Sequence, residues 1–344
     1  MTTILPRRGT AAQWTAANPV LAMGELGFET DTTRWKRGDG ATAWTALSYY
    51  QPSWTDVTAK PAVIAAGADQ AAARNAIGAL SQIEIENLIG NYESESLALF
   101  NRMTVRPDTD HRSAINTLIL TLKNTGVWTK LDSLYLFAAH TLQAALLNWV
   151  STSRNLTVYN SPIFTADQGI AGDGISGYLR TSSAFNGAGL KMAQGDESLG
   201  LWTRINVADS NQTAISLSPN ADGSSSVRYF NPRNSGTNIA WKMNFSTTQG
   251  SPAHATGDNQ FVVASTIGTD SSLYHNGSLD DTYSAAAVND PQTQSFYLVI
   301  GRVASVYSPR QHSAAFHGSG MTAGDSSNLY NALFDYMTAL GALV

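Results

Sequence analysis

The sequence predicts a mainly β protein with a helical middle: a small N-terminal β module, a helical connector, and a C-terminal β-sandwich or jelly roll closed by one helix. Three observations support this fold class. Residues 1–56 hold four of the eight tryptophans among many glycines and threonines. Residues 57–150 contain Ala-rich and amphipathic helical patterns. From about residue 155, short runs of β-branched and aromatic residues alternate with turn clusters.

The N-terminal β module, residues 1–56, is predicted from two short strands at 25–30 and 33–36, joined at 31–32 and closed by a turn at 38–40. Its tryptophans are expected to supply most of a small core. Residues 37–39 spell the cell-adhesion tripeptide Arg-Gly-Asp. An aspartate between two glycines is typical of a tight turn, and we interpret the tripeptide as chance.

The connector, residues 57–150, is predicted to contain three helices. The first spans 69–77 and ends before Gly78, and the second spans 81–100 with a capping box at Ser81 and Glu84. A partial coiled-coil seam runs along the second helix and is interrupted at Glu95; its members are Ile85, Leu88, Tyr92 and Leu99. A three-chain coiled coil and one helix packed on its own chain both account for this seam.

The third helix, residues 110–124, has apolar residues at i, i+3, i+4 and i+7, namely Ile115, Leu118, Ile119 and Leu122. The sandwich, residues 151–344, is predicted from runs at 199–207, 214–218, 226–230, 261–268, 271–277 and 295–303. Its closing helix begins with a capping box at Thr322 and Asp325 and ends at Gly341.

Composition excludes several classes of function. Charged residues are only 14% of the chain, against about 25% in an average globular protein, and the net charge is −5. A nucleic-acid binder with a basic surface is therefore not expected. The absence of cysteine excludes disulfides, a thiol nucleophile and thiolate metal sites. The most apolar stretch, 134–150, contains His140, Gln143 and Asn148, and the first residues lack the apolar region of a signal peptide, so neither membrane insertion nor a signal peptide is predicted.

Several motifs have a simpler interpretation than a site. Residues 172–177 match the glycine pattern of dinucleotide sites, but the following residues continue as strand rather than helix, which predicts a turn. His312 and His317 are five apart in a predicted strand, so alternation places them on opposite faces and they should not share a metal. His140 is expected to be a core histidine with one hydrogen bond. Four Asn-x-Ser/Thr triplets, at Asn155, Asn211, Asn244 and Asn276, are interpreted as incidental.

No arrangement of catalytic residues stands out, and we predict that the protein is not an enzyme. The adjacent carboxylates Asp196-Glu197 and Asp280-Asp281 should point to opposite faces of a strand. A glycosidase remains open, because its two carboxylates can lie far apart in sequence. Oxygen ligands for calcium occur in loops at Asp209, Asn211, Asn220 and Asp222 but without EF-hand spacing. Calcium binding by a loop stays open, and no cofactor or metal is predicted.

A glycan-contacting edge is predicted along a strand, a turn and a strand at Tyr229, Asn231, Arg233, Asn234 and Trp241. Amides can bind sugar hydroxyls in pairs, and flat rings stack on the apolar face of a sugar. The alternative is that the two aromatic residues belong to the core and that Asn231 only forms the turn.

Three segments carry a resemblance to known proteins. Residues 7–44 resemble the N-terminal module of many bacteriophage tail fibre and tail spike proteins, and residues 60–79 resemble the connector that often follows it. Residues 163–341 are similar to the laminin-G-like, concanavalin-A-like jelly rolls of phage fibre tips.

This resemblance implies a homotrimeric virion protein that acts outside the host cell, with residues 57–150 as the trimerisation region. Its N-terminal region would bind other tail or baseplate proteins, and its sandwich would bind bacterial surface polysaccharide or lipopolysaccharide. A polysaccharide depolymerase on the same scaffold and a purely structural virion component are the alternatives.

Overall fold

The computed structural model describes residues 6–50, 92–186, 189–207, 214–223, 228–234, 238–244, 248–250, 257–287 and 289–344. The chain separates into two compact units, Met1–Ile89 and Gly90–Val344, here called unit 1 and unit 2. The predicted helix at 69–77 and most of the one at 81–100, with its capping box and Ile85 and Leu88, lie outside the described residues, as do Trp54, Asp209 and Asn211.

Unit 1 contains the predicted hairpin. Strand β1 (Arg7–Gly9) pairs in parallel with β2 (Leu26–Glu29), which pairs antiparallel with β3 (Trp35–Arg37), and helix α1 (Ala11–Ala17) follows β1. The tryptophan core is confirmed: Trp14 stacks on Trp44 with ring centroids 4.1 Å apart, and Leu21 completes the buried cluster. The turn at 38–40 is also confirmed, because the Asp39 carboxylate accepts hydrogen bonds from the backbone N–H groups of residues 41 and 42.

Unit 2 is the predicted sandwich of two sheets. The seven-stranded sheet has the order β13-β12-β11-β10-β17-β8-β5. Its strands are β5 (Leu156–Tyr159), β8 (Tyr178–Thr181), β10 (Ile215–Ser218), β11 (Arg228–Asn234), β12 (Asn238–Met243), β13 (Gln249–Gly250) and β17 (Tyr297–Ile300).

The eight-stranded sheet has the order β16-β15-β14-β9-β20-β7-β6, with β4 also paired to β20. Its strands are β4 (Leu131–Leu136), β6 (Ile163–Thr165), β7 (Gly169–Ala171), β9 (Asp196–Ile205), β14 (Gln260–Ile267), β15 (Asp270–His275), β16 (Ser278–Ser284) and β20 (Gln311–Gly318). A separate hairpin consists of β18 (Arg302–Val303) and β19 (Val306–Tyr307).

The helices of unit 2 are α2 (Ser94–Phe100), α3 (Thr109–Asn124), α4 (Leu142–Ala145) and α5 (Ala323–Ala339). The predictions of α3 and of the capped helix α5 are confirmed, and the four predicted apolar residues of α3 are all buried. Helix α5 covers the outer face of the eight-stranded sheet, where Tyr330 stacks on Trp202 with centroids 5.7 Å apart. None of the described helices is long and apolar enough to cross a membrane.

The predicted connector requires two corrections. Residues 92–150 belong to unit 2, and its strand β4, which lies partly in the apolar stretch 134–150, pairs antiparallel with β20 inside the eight-stranded sheet. The predicted helix at 81–100 does not run through Glu93, because that residue is the extended N-cap of α2. Leu99 is buried in the core of unit 2, and Tyr92 packs edge-on against Phe100, so these two seam residues pack on their own chain.

Candidate functional site

Three of the predicted glycan-contacting residues, Tyr229, Asn231 and Trp241, do not share one exposed edge. In the β11–β12 pair, Tyr229 lies opposite Lys242 and Phe230 lies opposite Trp241. Since neighbouring residues of a strand face opposite sides, Tyr229 and Trp241 lie on opposite faces of the sheet. Trp241 is 0% exposed in the core, where its indole N–H donates to Asp281 Oδ2 over 3.2 Å.

Asn231 shares the outer face with Tyr229 but is only 3% exposed. The Tyr229 hydroxyl lies 2.6 Å from Thr248 Oγ1. Arg233 and Asn234 belong to β11, and the described part of these two residues is the backbone alone. Tyr229, Asn231 and Trp241 therefore lack the common exposed surface that the sequence predicted, and Trp241 follows the alternative of a core residue.

A different concave site opens at one end of the seven-stranded sheet. Strand β10 ends there, and its antiparallel neighbours β11 and β17 begin there. We call this site, a cleft of about 340 Å³, the end cleft; its lining consists of Leu217, Pro219, Arg228, Asn289, Gln294, Ser295 and Phe296. This volume lies within the range of small-molecule binding sites.

The floor of the end cleft is charged. The Arg228 side chain is only 2% exposed, and its Nε donates to Glu197 Oε2 on β9 of the facing sheet. Arg228 Nη2 also points to the Asn289 carbonyl over 3.4 Å. Burial of Glu197, which is 0% exposed, raises the pKa of its carboxyl group, and the charge of Arg228 opposes that rise. A cation and a carboxyl group thus meet beneath the cleft.

The polar wall of the end cleft is held in place by amide side chains. Asn244 Nδ2 donates to the Asn289 carbonyl over 2.6 Å, and Asn244 Oδ1 accepts from the Asn289 N–H over 3.0 Å. Gln294 Nε2 donates to Asn289 Oδ1 over 3.1 Å. Asn244 itself has a left-handed backbone with φ 59°, which asparagine tolerates better than most residues. The sequence indicated Asn244 only as part of an incidental triplet.

The apolar wall of the end cleft is aromatic and uncharged. Phe296 stacks on Phe185 with centroids 5.5 Å apart, and His317 packs edge-on against both rings. Burial lowers the pKa of His317 to about 3, and the nearby positive charges of Arg154 and Arg228 add to the effect. His317 is therefore neutral at ordinary pH, and the end cleft combines hydrogen-bond donors and acceptors with an apolar ring.

The predicted faces of the two strand histidines need correction. On β20, His312 pairs with Thr203 and His317 pairs with Leu199, with register shifts between His312 and Ala314. The extra residue of this bulge reverses the alternation, so both rings point into the sandwich. Their partners on β9 are four residues apart, roughly 13 Å, which is too far for a shared metal ion.

The glycine-rich turn and the adjacent carboxylates Asp196-Glu197 behave as their simpler interpretation predicted. In the turn at 172–177, Asp173 Oδ1 accepts from the N–H groups of residues 175, 176 and 177, and β8 follows. His140 Nε2 lies 2.9 Å from the Val105 carbonyl, but the residue is half-buried, so the expectation of a core histidine is wrong. Asp196 is exposed and Glu197 is buried, as alternation requires. In the described ranges, no three His, Asp or Glu side chains are grouped to hold a metal ion.

Comparison with known proteins gives one family match. Residues 6–42, which cover most of the described part of unit 1, match the family described as the Major tropism determinant N-terminal domain. No curated protein matches the chain.

Solved structures resemble part of this chain at low sequence identity, with TM-scores below 0.5. A sialidase of Trypanosoma rangeli has a TM-score of 0.45 and 9% identity over 64% of this chain and 38% of its own. Domain 4 of an extracellular arabinanase from Geobacillus stearothermophilus, solved with arabinotriose, has a TM-score of 0.39 and 14% identity over 58% of this chain and 98% of its own. The binding domain of botulinum neurotoxin serotype D has a TM-score of 0.41 and 14% identity over 59% of this chain and 52% of its own. The chain thus spans under two fifths of the sialidase.

Proposed function

We propose that this chain is a receptor-binding protein of a bacteriophage tail, located on the virion and acting outside the host cell. The observation that carries the proposal is the match of residues 6–42 to the N-terminal domain of a major tropism determinant. In this proposal unit 1 attaches to other tail or baseplate proteins. Unit 2, a sandwich of the laminin-G-like, concanavalin-A-like type, binds a polysaccharide or lipopolysaccharide glycan on the bacterial surface.

The end cleft is the glycan site of this proposal. Sugars present hydroxyl groups that both donate and accept hydrogen bonds, together with an apolar ring face. Asn289, Gln294 and Ser295 supply amide and hydroxyl groups, Arg228 supplies a buried donor, and Phe296 supplies an apolar wall. The Asn244 hydrogen bonds hold Asn289 in position before a ligand arrives, which reduces the entropy lost on binding.

The proposed recognition is binding without cleavage. Glycosidases use two carboxyl groups on either side of the scissile bond. The described lining of the end cleft includes no aspartate or glutamate, and Glu197 beneath it is paired with Arg228. Incubation with purified capsule or lipopolysaccharide should therefore release no reducing ends. Their release by the wild-type chain would favour the depolymerase alternative.

A steric block of the end cleft tests the site. Ser295→Trp places a large ring on an exposed lining residue, and Asn331→Trp places the same ring on an exposed position of α5 as the matched control. We expect the wild-type chain to be retained on at least one surface in a panel of bacterial cells and purified surface glycans. Ser295→Trp should weaken this retention by about tenfold or more, and Asn331→Trp should leave it unchanged. Retention of the wild type on no surface would refute receptor binding and favour a structural role, and equal retention of both variants would refute the end cleft as the site.

The proposed assembly is a homotrimer. Three weak sites that engage one surface together reach a much higher avidity than a single site. Light scattering should give three times the 36.7 kDa chain mass. A monomer at micromolar concentration would contradict the trimer without affecting the cleft experiment.

A further inference from the structure

A second polar surface lies on the outer face of the seven-stranded sheet, the face turned away from the eight-stranded sheet. In the β5–β8 pair, Tyr159 lies opposite Tyr178, and Arg180 follows two residues later on the same face. The residue between them, Leu179, points into the core. Tyrosine and arginine thus occupy outward positions where the neighbouring inward positions are apolar.

These side chains are stacked on one another. Tyr159 and Tyr178 are nearly parallel with centroids 4.6 Å apart, and the Arg180 Cζ lies 4.6 Å from the Tyr159 centroid and 5.0 Å from that of Tyr297. At the other end, the Arg302 Cζ lies 4.7 Å from the Tyr178 centroid. The same Arg302 Cζ lies 5.4 Å from the Tyr307 ring centroid. We call these four tyrosines and two arginines the tyrosine–arginine column.

Stacking fixes the two guanidinium planes and leaves their N–H edges for other partners. Arg180 Nη2 donates to the Tyr159 hydroxyl and Nη1 to the Ala221 carbonyl, whereas its buried Nε has no partner within the described chain. Arg302 donates through Nε to the Ala304 carbonyl over 2.8 Å, and its half-buried side chain makes no other hydrogen bond to a described residue. The terminal nitrogens of Arg302 therefore form an available fork.

The column also carries positive charge that the described residues do not neutralise. Neither Arg180 nor Arg302 forms an ion pair with any carboxylate in the part of the chain that the structure describes. Two such guanidinium groups, separated by two stacked rings, form a local cationic surface on a chain whose net charge is −5. The net negative charge of the chain would repel an anionic polymer, so any binding of one must come from a local site.

We propose that the tyrosine–arginine column is a binding site for a carboxylated polysaccharide. The planar fork of Arg302 matches a carboxylate with two parallel hydrogen bonds, and the tyrosine hydroxyls meet the hydroxyl groups of the adjoining sugars. The site shares no residue with the end cleft, so it does not depend on glycan binding there. The tyrosine–arginine column would favour polysaccharides that carry carboxylates over neutral polysaccharides that offer hydroxyl groups alone.

Binding of the full chain to immobilised polygalacturonate tests the proposal. Fully methyl-esterified polygalacturonate is the matched neutral polymer. We expect the acidic polymer to bind, with weaker binding at high salt, and the esterified polymer to bind at least about tenfold more weakly. Arg302→Gln should weaken binding to the acidic polymer by about tenfold, because one charge-assisted contact is lost. Arg8→Gln, which removes the same charge from an exposed position of β1, should leave binding unchanged.

Further variants separate this site from a folding defect and from the end cleft. Arg302→Lys keeps the charge and loses the fork, and it should bind more weakly than the wild type even where thermal unfolding is unaltered. Asn331→Trp, at an exposed position of α5 outside both sites, should bind polygalacturonate like the wild type. The polygalacturonate assay is separate from the cell-surface panel that tests the end cleft, so a failure of one site leaves the other testable. Equal binding of both polymers, no binding of either, or equal binding by Arg302→Gln and the wild type would overturn the proposal.

Discussion

Acidification should destabilise unit 2 through two histidines that are buried in their neutral form. Burial lowers the pKa of both His312 and His317 to about 3, with the positive charge of Arg310 adding to the effect at His312. An unfolded chain titrates its histidines near about 6.5. Between about pH 6.5 and about pH 3 the unfolded state therefore binds more protons, and the free energy of unfolding falls as the pH falls.

The size of the effect follows from the pKa difference. A pH of about 5 lies about 1.5 units below the histidine pKa of the unfolded chain, and each unit lowers the free energy of unfolding by about 1.4 kcal/mol per histidine. Each histidine therefore removes about 2 kcal/mol of stability at this pH. Two such groups together would remove about 4 kcal/mol, a large part of the roughly 5–15 kcal/mol that stabilises a typical domain.

His111 should act in the opposite direction. Burial lowers the pKa of His111, but hydrogen bonds to Asp167 and Asp108 at 2.8 and 2.7 Å outweigh it and leave the pKa above its usual value. A raised pKa contributes stability that is fully present below the unfolded value and is lost as the pH rises through the folded value. His111→Gln should therefore make the loss of stability on acidification larger.

Urea unfolding of unit 2 at about pH 7.5 and about pH 5, followed by amide exchange in β20, measures these effects. His317→Leu is the test variant, because both ring nitrogens of His317 lack a hydrogen-bond partner within the described chain and no partner is orphaned by the change. Nearby Asp132 keeps its hydrogen bonds from the Lys191 and Met192 N–H groups. The difference between the two pH values should shrink by about 2 kcal/mol in His317→Leu, whatever the absolute stability of the variant. An unchanged difference would refute the reasoning.

Three further predictions concern packing, capping and the buried ion pair. Gly200→Ala should destabilise unit 2 by about 1–3 kcal/mol in thermal unfolding, since a Cβ there would overlap the Phe316 ring; a wild-type melting temperature would contradict this. Thr322→Ala removes the side-chain cap of α5 and should cost about 1 kcal/mol, whereas Thr322→Ser should cost little. The double variant Glu197→Leu, Arg228→Met should fold about as stably as the wild type, but it should lose retention on the bacterial surface that the wild type binds. Retention equal to that of the wild type would contradict a role for the ion pair in binding.

The regular elements of unit 2 could be predicted because their signals are local. Apolar spacing and caps gave α3 and α5 almost residue by residue, and β-branched runs gave β9, β14 and β17. Strand β4 was missed because a short apolar run is compatible with a buried helix as well as a strand. Only its pairing with β20, almost two hundred residues away in sequence, decides between them.

The candidate sites could not be predicted because they depend on register and on distant contacts. Tyr229 and Trp241 were assigned to the correct strands, yet the register that puts them on opposite faces depends on the intervening turn. A bulge between them likewise puts His312 and His317 on the same face of the sheet, where strict alternation predicted opposite faces. The end cleft joins strand ends to a loop around Asn289, and no short stretch of sequence contains that combination.

The ion pair beneath the end cleft is the part of this molecule that stability explains least. Removing Arg228 and Glu197 from water costs several kcal/mol per ion, and well-packed apolar residues in the same place are often as stable or more stable. A chain with only 14% charged residues has nonetheless placed one pair of them in the interior, on facing strands of two sheets. The ion pair lies directly beneath the end cleft, and Arg228 is part of the lining of that cleft. The proposed binding role would account for this position, because a buried and neutralised guanidinium group is a rigid donor that needs no reorganisation when a ligand hydroxyl arrives.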